Sequence, residues 1–425
     1  METIINLNFA MFLIFTACFV YQSVYVFVAL LAKPKTFKAK VNHRYAVIIS
    51  ARNEEAVIGE LIDSINNQKY PRELVDVFVV ADNCTDNTAE VAAAHGAYVY
   101  RRNDMTKIGK GYALNFMFNI IFDKYADKGY EGYFVFDADN ILDENYIAAM
   151  NATFDQGYRI LTSYRNSKNY GDNWLSAASS LWFLREARYL NNSRMIMGTS
   201  CAISGTGFLI RDEVIRRNDG WRHHLLTEDI EFTIDSVING ETVGYCDDAV
   251  LYDEQPTTMK QSARQRLRWA KGFYQVFAGY GLKLVKSIKK NRQFSSYDML
   301  MTIAPAMLLT LALFVIDAVA FVYAFITGDP LVTKLFIVLF EASLGFYGLF
   351  YLMGLLTVIS EWKMIHCSAF EKLFYLFSFP VFMFTYVPIS IYALFAKVEW
   401  KPIIHKPVAK DASIPVVGAD AGRDI

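Results

Sequence analysis

The run YFVFDAD at residues 133–139 sets an aromatic and β-branched stretch directly against two carboxylates spaced two apart. Such a stretch reads as a strand, because branched and aromatic side chains suit a pleated, buried surface. Two other runs share its construction: YAVIIS at 45–50, followed by ARNEE, and VDVFVVA at 75–81, followed by DNCTD. Between them lie helical patterns, EEAVIGELIDSINN at 54–67 and NTAEVAAAH at 87–95. Strands alternating with helices at this spacing predict a mostly parallel α/β sheet with helices on both faces. Ligands meet such sheets at the carboxyl ends of strands, where each polar cluster falls.

Outward from this core the chain turns apolar. Residues 9–32 could cross about 30 Å of hydrocarbon as one helix, and Lys33, Lys35, Lys38, Lys40 and Arg44 follow at once. The positive-inside tendency puts the N-terminus outside and the α/β domain in the cytosol, so an integral plasma-membrane protein is expected. No Lys or Arg occurs in the first eight residues, so the basic start of a secretory signal is missing. Residues 255–297 are basic, with Phe273, Tyr274 and Phe277 interleaved, which suits helices lying along a membrane surface. Three apolar stretches, 299–327, 335–360 and 370–396, complete a C-terminal membrane region. Lys397, Lys401, Lys406 and Lys410 favour a cytosolic tail, which requires an even number of crossings. Pro380 and Pro388 interrupt the last stretch, so a re-entrant or interfacial segment there stays open beside a full span. Asp317 and Glu341 are expected to face other helices or a watery path. The expected organisation is an N-terminal helix (1–33), a cytosolic domain (43–254), interface helices (255–297), a membrane region (298–397) and a tail (398–425).

With 54% hydrophobic and 20% charged residues, the composition excludes a disordered chain and disfavours a wholly water-soluble one. Lys and Arg number 42 against 43 Asp and Glu, so net charge gives no reason to expect nucleic acid. Five cysteines without paired spacing exclude a disulfide scaffold or a cysteine-rich zinc site.

The polar clusters carry the chemistry. Asp137 and Asp139 can be aimed at one ion once the strand gives way to a turn, and hard oxygen ligands suit Mg²⁺ or Mn²⁺ bridging a diphosphate. Asp82 can accept from the N3–H of a uracil ring, and the loop at 50–54, ending on Glu54, could complete that pocket. The neighbouring Asp86 or Asn87 reads as a helix cap. In KIGKGYALN (107–115) a lysine supplies a point charge for phosphate and the glycines permit close backbone approach, although a solvated basic loop reads equally well. TED at 227–229 offers Thr227 as a cap, and a carboxylate that could take a proton from an attacking hydroxyl. QRLRW at 265–269 combines amide, guanidinium and indole on one helical turn, suited to a departing diphosphate and a sugar face.

Taken in order, SARNE, ADN, KGYALN, DAD, TED and QRLRW resemble the signatures of membrane-integrated family 2 glycosyltransferases, the group of cellulose, hyaluronan, chitin and poly-N-acetylglucosamine synthases. The resemblance covers roughly residues 45–275 and the helices on both sides. It implies a cytosolic GT-A-type α/β domain joined to interface and transmembrane helices. It also implies an inverting transfer from a UDP-sugar to a growing glycan, processive and coupled to export. By the same resemblance, Asp82 and Glu54 contact uracil, Lys110 approaches the diphosphate, and Asp137 and Asp139 hold the nucleotide and its Mg²⁺ or Mn²⁺. Asp229 is the implied base; Gln265 and Arg268 meet the diphosphate, Trp269 lies beneath the acceptor sugar, and Thr206 belongs to an acceptor-side loop. Implied partners are the UDP-sugar, a glycan or lipid-linked acceptor and the bilayer, with room for export partners or a homo-oligomer. Two alternatives stay open: transfer of a single sugar to a lipid, and a non-catalytic sugar-nucleotide-binding subunit. Ser50 stands where many relatives have proline, Ala81 where they have a second aspartate, and one helix precedes the domain where several relatives have more.

Overall fold

In the computed structural model, which describes residues 2–291, 293–328, 331–398 and 405, eight strands form one sheet. They are β1 (Tyr45–Ala51), β2 (Val75–Asp82), β3 (Tyr98–Arg102), β4 (Gly132–Asp137), β5 (Ile141–Leu142), β6 (Ile160–Ser167), β7 (Phe208–Arg211) and β8 (Val243–Asp253), in the spatial order β3-β2-β1-β4-β7-β6-β8-β5. The three strands foreseen are β1, β2 and β4. They run parallel and are covered on both faces, which is why they read as continuous apolar runs. β7 pairs antiparallel with β4 and β6, and β5 antiparallel with β8, while β6 and β8 are parallel. The sheet is therefore mixed.

Register fixes where the polar clusters end up. Ser50 pairs with Asp137 and Ala51 with Ala81, so the loops after β1, β2 and β4 leave the sheet at one level. The helix after β1 buries Ile58, Leu61, Ile62 and Ile65, the spacing of one helical face. It starts at Ile58 rather than 54 because Asn53 takes a left-handed φ of 60° and the Glu54 amide is drawn to Thr88 Oγ1 at 2.8 Å. Ahead of the helix Thr88–Ala94, the Asp86 side chain accepts from the Thr88 amide (3.1 Å), whereas Asn87 makes no side-chain cap.

The chain divides into two units. One comprises Leu31–Asn169 and Glu186–Gln255 with His405; the other comprises residues 2–30, Tyr170–Arg185 and Pro256–Val398. Compared with the expected domain at 43–254, this α/β unit begins at Leu31, takes in His405 and leaves Tyr170–Arg185 with the helices.

Within the helical unit, three helices are long and apolar enough to cross a membrane among the described residues: Asn6–Leu31, Phe340–Ser360 and Ala369–Phe395. Val315–Thr327 is apolar but shorter. Asp317 accepts from Asn8 Nδ2 at 2.6 Å, as a carboxylate in apolar surroundings requires. Glu341 is exposed, next to exposed Phe340 and near exposed Leu344. The basic region is one 33-residue helix, Met259–Asn291, rather than several short ones. In its QRLRW turn Arg266 is buried, donating to the Phe382 carbonyl at 3.2 Å and to Thr385 Oγ1, with its guanidinium 4.3 Å from the Phe382 ring centre. Gln265, Arg268 and Trp269 are half-buried, and Trp269 meets Phe183 edge to face at 6.0 Å. The tail positions Lys401, Lys406 and Lys410 lie outside the described residues.

Candidate active site

Gly205 is where separate stretches of sequence meet. Its amide donates to Asp229 Oδ2 at 2.6 Å, and its carbonyl accepts from Lys110 Nζ at 2.7 Å. The same ammonium is bonded to Asp137 Oδ1. Gly205 thereby ties the lysine of KGYALN to the aspartate of TED, and the lysine in turn holds the first aspartate of DAD. Lys110 is partly buried, which works against its charge. Asp137, Glu228 and Asp229 outweigh that burial and hold the group above the ordinary lysine range. The lysine foreseen as a phosphate contact is therefore a fixed cation among carboxylates.

Gly111, next to it in sequence, is closely packed. A Cβ on Gly111 would stand 2.0 Å from the His223 carbonyl oxygen, so the close approach this glycine permits is to backbone. Gly207 has a φ of 66°, and a Cβ there would meet Leu251 Cδ2 at 1.9 Å, which fixes the turn that aims Gly205.

Thr206 is corrected from an acceptor contact to a strut. It is 3% exposed; its hydroxyl accepts from the Asp137 amide at 2.9 Å and donates to Asn140 Oδ1. Both capacities of the hydroxyl are used in holding the strand end.

Asp139 lies buried and acts electrostatically on Asp253. Asp253 in turn accepts from Arg165 Nε at 2.9 Å, Gln255 Nε2 at 3.1 Å and Asn140 Nδ2 at 3.2 Å. Burial pushes the Asp253 carboxyl up; Arg165 opposes this and Asp139 adds to it. Glu54 accepts from or donates to the His405 ring, with Nδ1 at 2.8 Å from Oε2, and His405 Nε2 stands 3.7 Å from Asp139 Oδ2. Burial raises Glu54 to about 7 despite the histidine. On His405, burial is outweighed by Asp139, Glu54 and Glu254, which raise it to about 10.

Asp82 is also buried and paired. Arg102 Nη1 donates to its Oδ1 at 2.6 Å, and Asn83 Nδ2 to the same oxygen at 3.0 Å. Burial raises its carboxyl, with Arg102 opposing.

Asp137, Asp139, Asp229, Lys110, Glu54 and Asp82 thus all belong to the α/β unit, the first four of them with Thr206 in one hydrogen-bonded cluster or beside it. Gln265, Arg268 and Trp269 belong to the helical unit. Arg102, Arg165, Asp253 and His405 were not foreseen. Asp253 had a signal, since AVLYDE at 249–254 repeats the pattern of an apolar run ending on carboxylates. Arg102 and Arg165 become significant only through the sheet, and His405 has no local signal.

Comparison with known proteins bears on this geometry. The model of the family described as "Glycosyltransferase like family 2" matches residues 43–272. The probable glycosyltransferase YdaM of Bacillus subtilis is 25% identical over 60% of this chain and 61% of its own length. The β-monoglucosyldiacylglycerol synthase of Nostoc is 25% identical over 64% of this chain and 58% of its own length. The chain therefore spans about three fifths of these relatives. Among solved structures, a mannosyltransferase from Pyrobaculum calidifontis, in complex with GDP-Man and Mn²⁺, aligns with a TM-score of 0.57 at 16% identity, over 90% of this chain and 98% of that one. The likeness supports a GT-A-type fold.

Proposed function

Since this chain belongs to glycosyltransferase family 2, we propose that it transfers a hexose from a UDP-sugar, of the UDP-glucose or UDP-N-acetylglucosamine type, to a hydroxyl acceptor at a membrane, with inversion. The observation that carries this reading is the clamp on Gly205, which joins Lys110 to Asp229 and, through the Lys110 ammonium, to Asp137. Asp229 takes the proton of the acceptor hydroxyl, whose oxygen then bonds to the anomeric carbon as the bond from that carbon to the diphosphate breaks. The leaving UDP carries the electron pair, and Lys110 offsets its charge from a fixed position.

A divalent cation, Mg²⁺ or Mn²⁺, would be held by Asp137 and Asp139. Their donor chemistry fits: hard carboxylate oxygens stand at a strand end, Asp137 beside Lys110 and Asp139 next to Asp253, whose carboxyl burial raises with Asp139 adding to it. When bound, the cation would neutralise charge gathering on the diphosphate. That the Pyrobaculum mannosyltransferase was obtained with Mn²⁺ supports this assignment.

The QRLRW turn favours a growing polysaccharide as acceptor, with Arg268 on the diphosphate, Gln265 beside it and Trp269 under the acceptor sugar, and with export coupled to synthesis. A second reading has support of its own: the Nostoc relative is named as making a monoglucosyl lipid, which favours one sugar on a lipid acceptor. Product sizing separates them, a ladder meaning polymerisation and a single glycolipid the alternative. Three membrane-competent helices support an integral plasma-membrane enzyme with its α/β unit in the cytosol. The test is UDP release by purified protein. Asp229→Asn is expected to lower turnover by about 10²–10⁴-fold, and chelation of divalent metal to abolish it. Undiminished turnover in either case overturns the assigned roles, and UDP-sugar binding with no turnover under any acceptor condition would favour a non-catalytic subunit.

A further inference from the structure

The helix Met259–Asn291 uses its cations in two ways. In its first half Arg266 is turned inward, and Lys271 Nζ donates to the Ala393 and Leu394 carbonyls at 3.1 and 3.3 Å. In its second half Lys283, Lys286, Lys289 and Lys290 are all exposed. Lys283 leans over the Tyr280 ring at 4.6 Å, and among the described residues no carboxylate pairs with any of the four. The stretch 255–297 holds ten Lys or Arg and no Asp or Glu. Exposed apolar side chains stand among these lysines, Leu282 at 80% and Val285 at 41%, while Gly281, Leu284 and Ser287 are buried. At 3.6 residues per turn the exposed arc runs from Val285 and Leu282, with Lys289 between them, to Lys286, Lys290 and Lys283. An arc facing water alone would forgo both the i,i+4 acids that relieve like charges and the burial of Leu282.

The end of this arc lies beside a membrane-competent helix. Phe294 packs on Tyr21 with ring centres 5.2 Å apart, and Tyr297 meets Tyr21 at 5.7 Å and donates to the Cys18 carbonyl at 3.0 Å. Tyr21 and Tyr25 lie toward the second end of the apolar helix Asn6–Leu31, where tyrosines mark the headgroup level of a bilayer. The acid of that segment, Asp298, is buried and accepts from both phenols, so its charge is engaged inside the unit.

We propose that residues 282–290 form a contact surface selective for anionic phospholipid headgroups, with Leu282 and Val285 entering the acyl boundary and the four lysines meeting headgroup phosphates. The stems of the lysines lie along the apolar edge while their ammonium groups reach the polar layer. Charge selects the occupant. A neutral bilayer would cover Leu282 and Val285 but leave four like charges within eight residues uncompensated, whereas an anionic leaflet attracts each lysine near its surface. A second copy of this chain would bring the same lysines to the face, and like charge opposes such a pairing. The surface goes beyond the transferase reading, since it decides which lipid gathers at the enzyme and not what the enzyme transfers. It also narrows the interface character foreseen over 255–297 to the second half of the helix, while the half that holds QRLRW packs on residues 382–394.

The test places the photo-crosslinking residue p-benzoylphenylalanine at position 282 of the full-length protein, in vesicles of equal phosphatidylcholine and phosphatidylglycerol, and identifies captured lipid by mass spectrometry. The expected result is capture of phosphatidylglycerol at least about threefold over phosphatidylcholine. Raising salt from about 0.1 to 1 M is expected to reduce that preference, because the screening length falls from about 10 to 3 Å. Combining Lys283→Gln, Lys286→Gln, Lys289→Gln and Lys290→Gln is expected to bring capture near parity. The same probe at position 349, exposed on the membrane-competent helix Phe340–Ser360, is expected to take both lipids in proportion throughout. Thermal unfolding in detergent confirms that the combined variant is folded; if it is not, Lys286→Gln with Lys290→Gln serves, with a partial loss of preference expected. Equal capture of the two lipids at position 282 in the parent protein overturns the proposal. So does a preference that survives the lysine replacements, capture of a second copy of the chain, or no capture at all, which would put the face in water. UDP release measured on the same vesicles reports separately: lipid preference without turnover leaves this surface standing while the transferase reading falls, and turnover with equal capture does the reverse.

Discussion

At Thr206 one hydroxyl serves both the Asp137 amide and the Asn140 side chain. Thr206→Val leaves a buried donor and acceptor unmatched, so a loss of about 1–3 kcal/mol is expected, measured by thermal unfolding, together with slower UDP release as Asp137 loses its tether. Thr206→Ser, which keeps the hydroxyl, is expected to retain both properties. Equal behaviour of the two variants would show that the strut does not matter. At this scale the identity of the acids was legible but their engagements were not. DAD announces itself as two carboxylates after a strand, whereas the Lys110–Asp137 contact depends on where a helix 27 residues earlier in the sequence begins.

Between elements, the Asp82–Arg102 pair joins the ends of β2 and β3, where the two residues are direct cross-strand partners. Arg102→Ala strands a buried carboxylate and is expected to cost about 3–5 kcal/mol, read by chemical denaturation. Replacing both partners, Asp82→Asn with Arg102→Leu, is expected to cost less than Arg102→Ala alone; a greater loss would mean that the pair is not the reason. β1, β2 and β4 were readable because strands covered on both faces are apolar throughout. β3, YVYRR, is partly exposed, and β6, ILTSYRNS, carries Ser, Arg and Asn toward the site, so neither shows that uninterrupted pattern.

Across the helical unit, Asp298 is fully buried and accepts from Tyr21 at 2.8 Å and Tyr25 at 2.7 Å, tying the N-terminal helix to a segment more than 270 residues away. Charge-assisted bonds of this kind contribute about 1.5–3 kcal/mol each, so Asp298→Ala is expected to lower the unfolding temperature in detergent well beyond what Tyr21→Phe does alone. An unchanged temperature would remove Asp298 from the anchoring of that helix. The tie was invisible beforehand because Asp298 sits at the margin of an apolar stretch, where an acid ordinarily marks a boundary.

The order of the residues by itself determined an α/β core between apolar ends and the acids at its strand termini, because burial imposes a period on hydrophobic side chains that any short window displays. Only the tertiary structure decided that Thr206 braces, that Asp253 crowds Asp139, and that His405 reaches Glu54. Such partnerships arise when sheet order and chain return bring distant groups together in a low-dielectric interior, where an ion must find a counterpart whatever its distance in sequence.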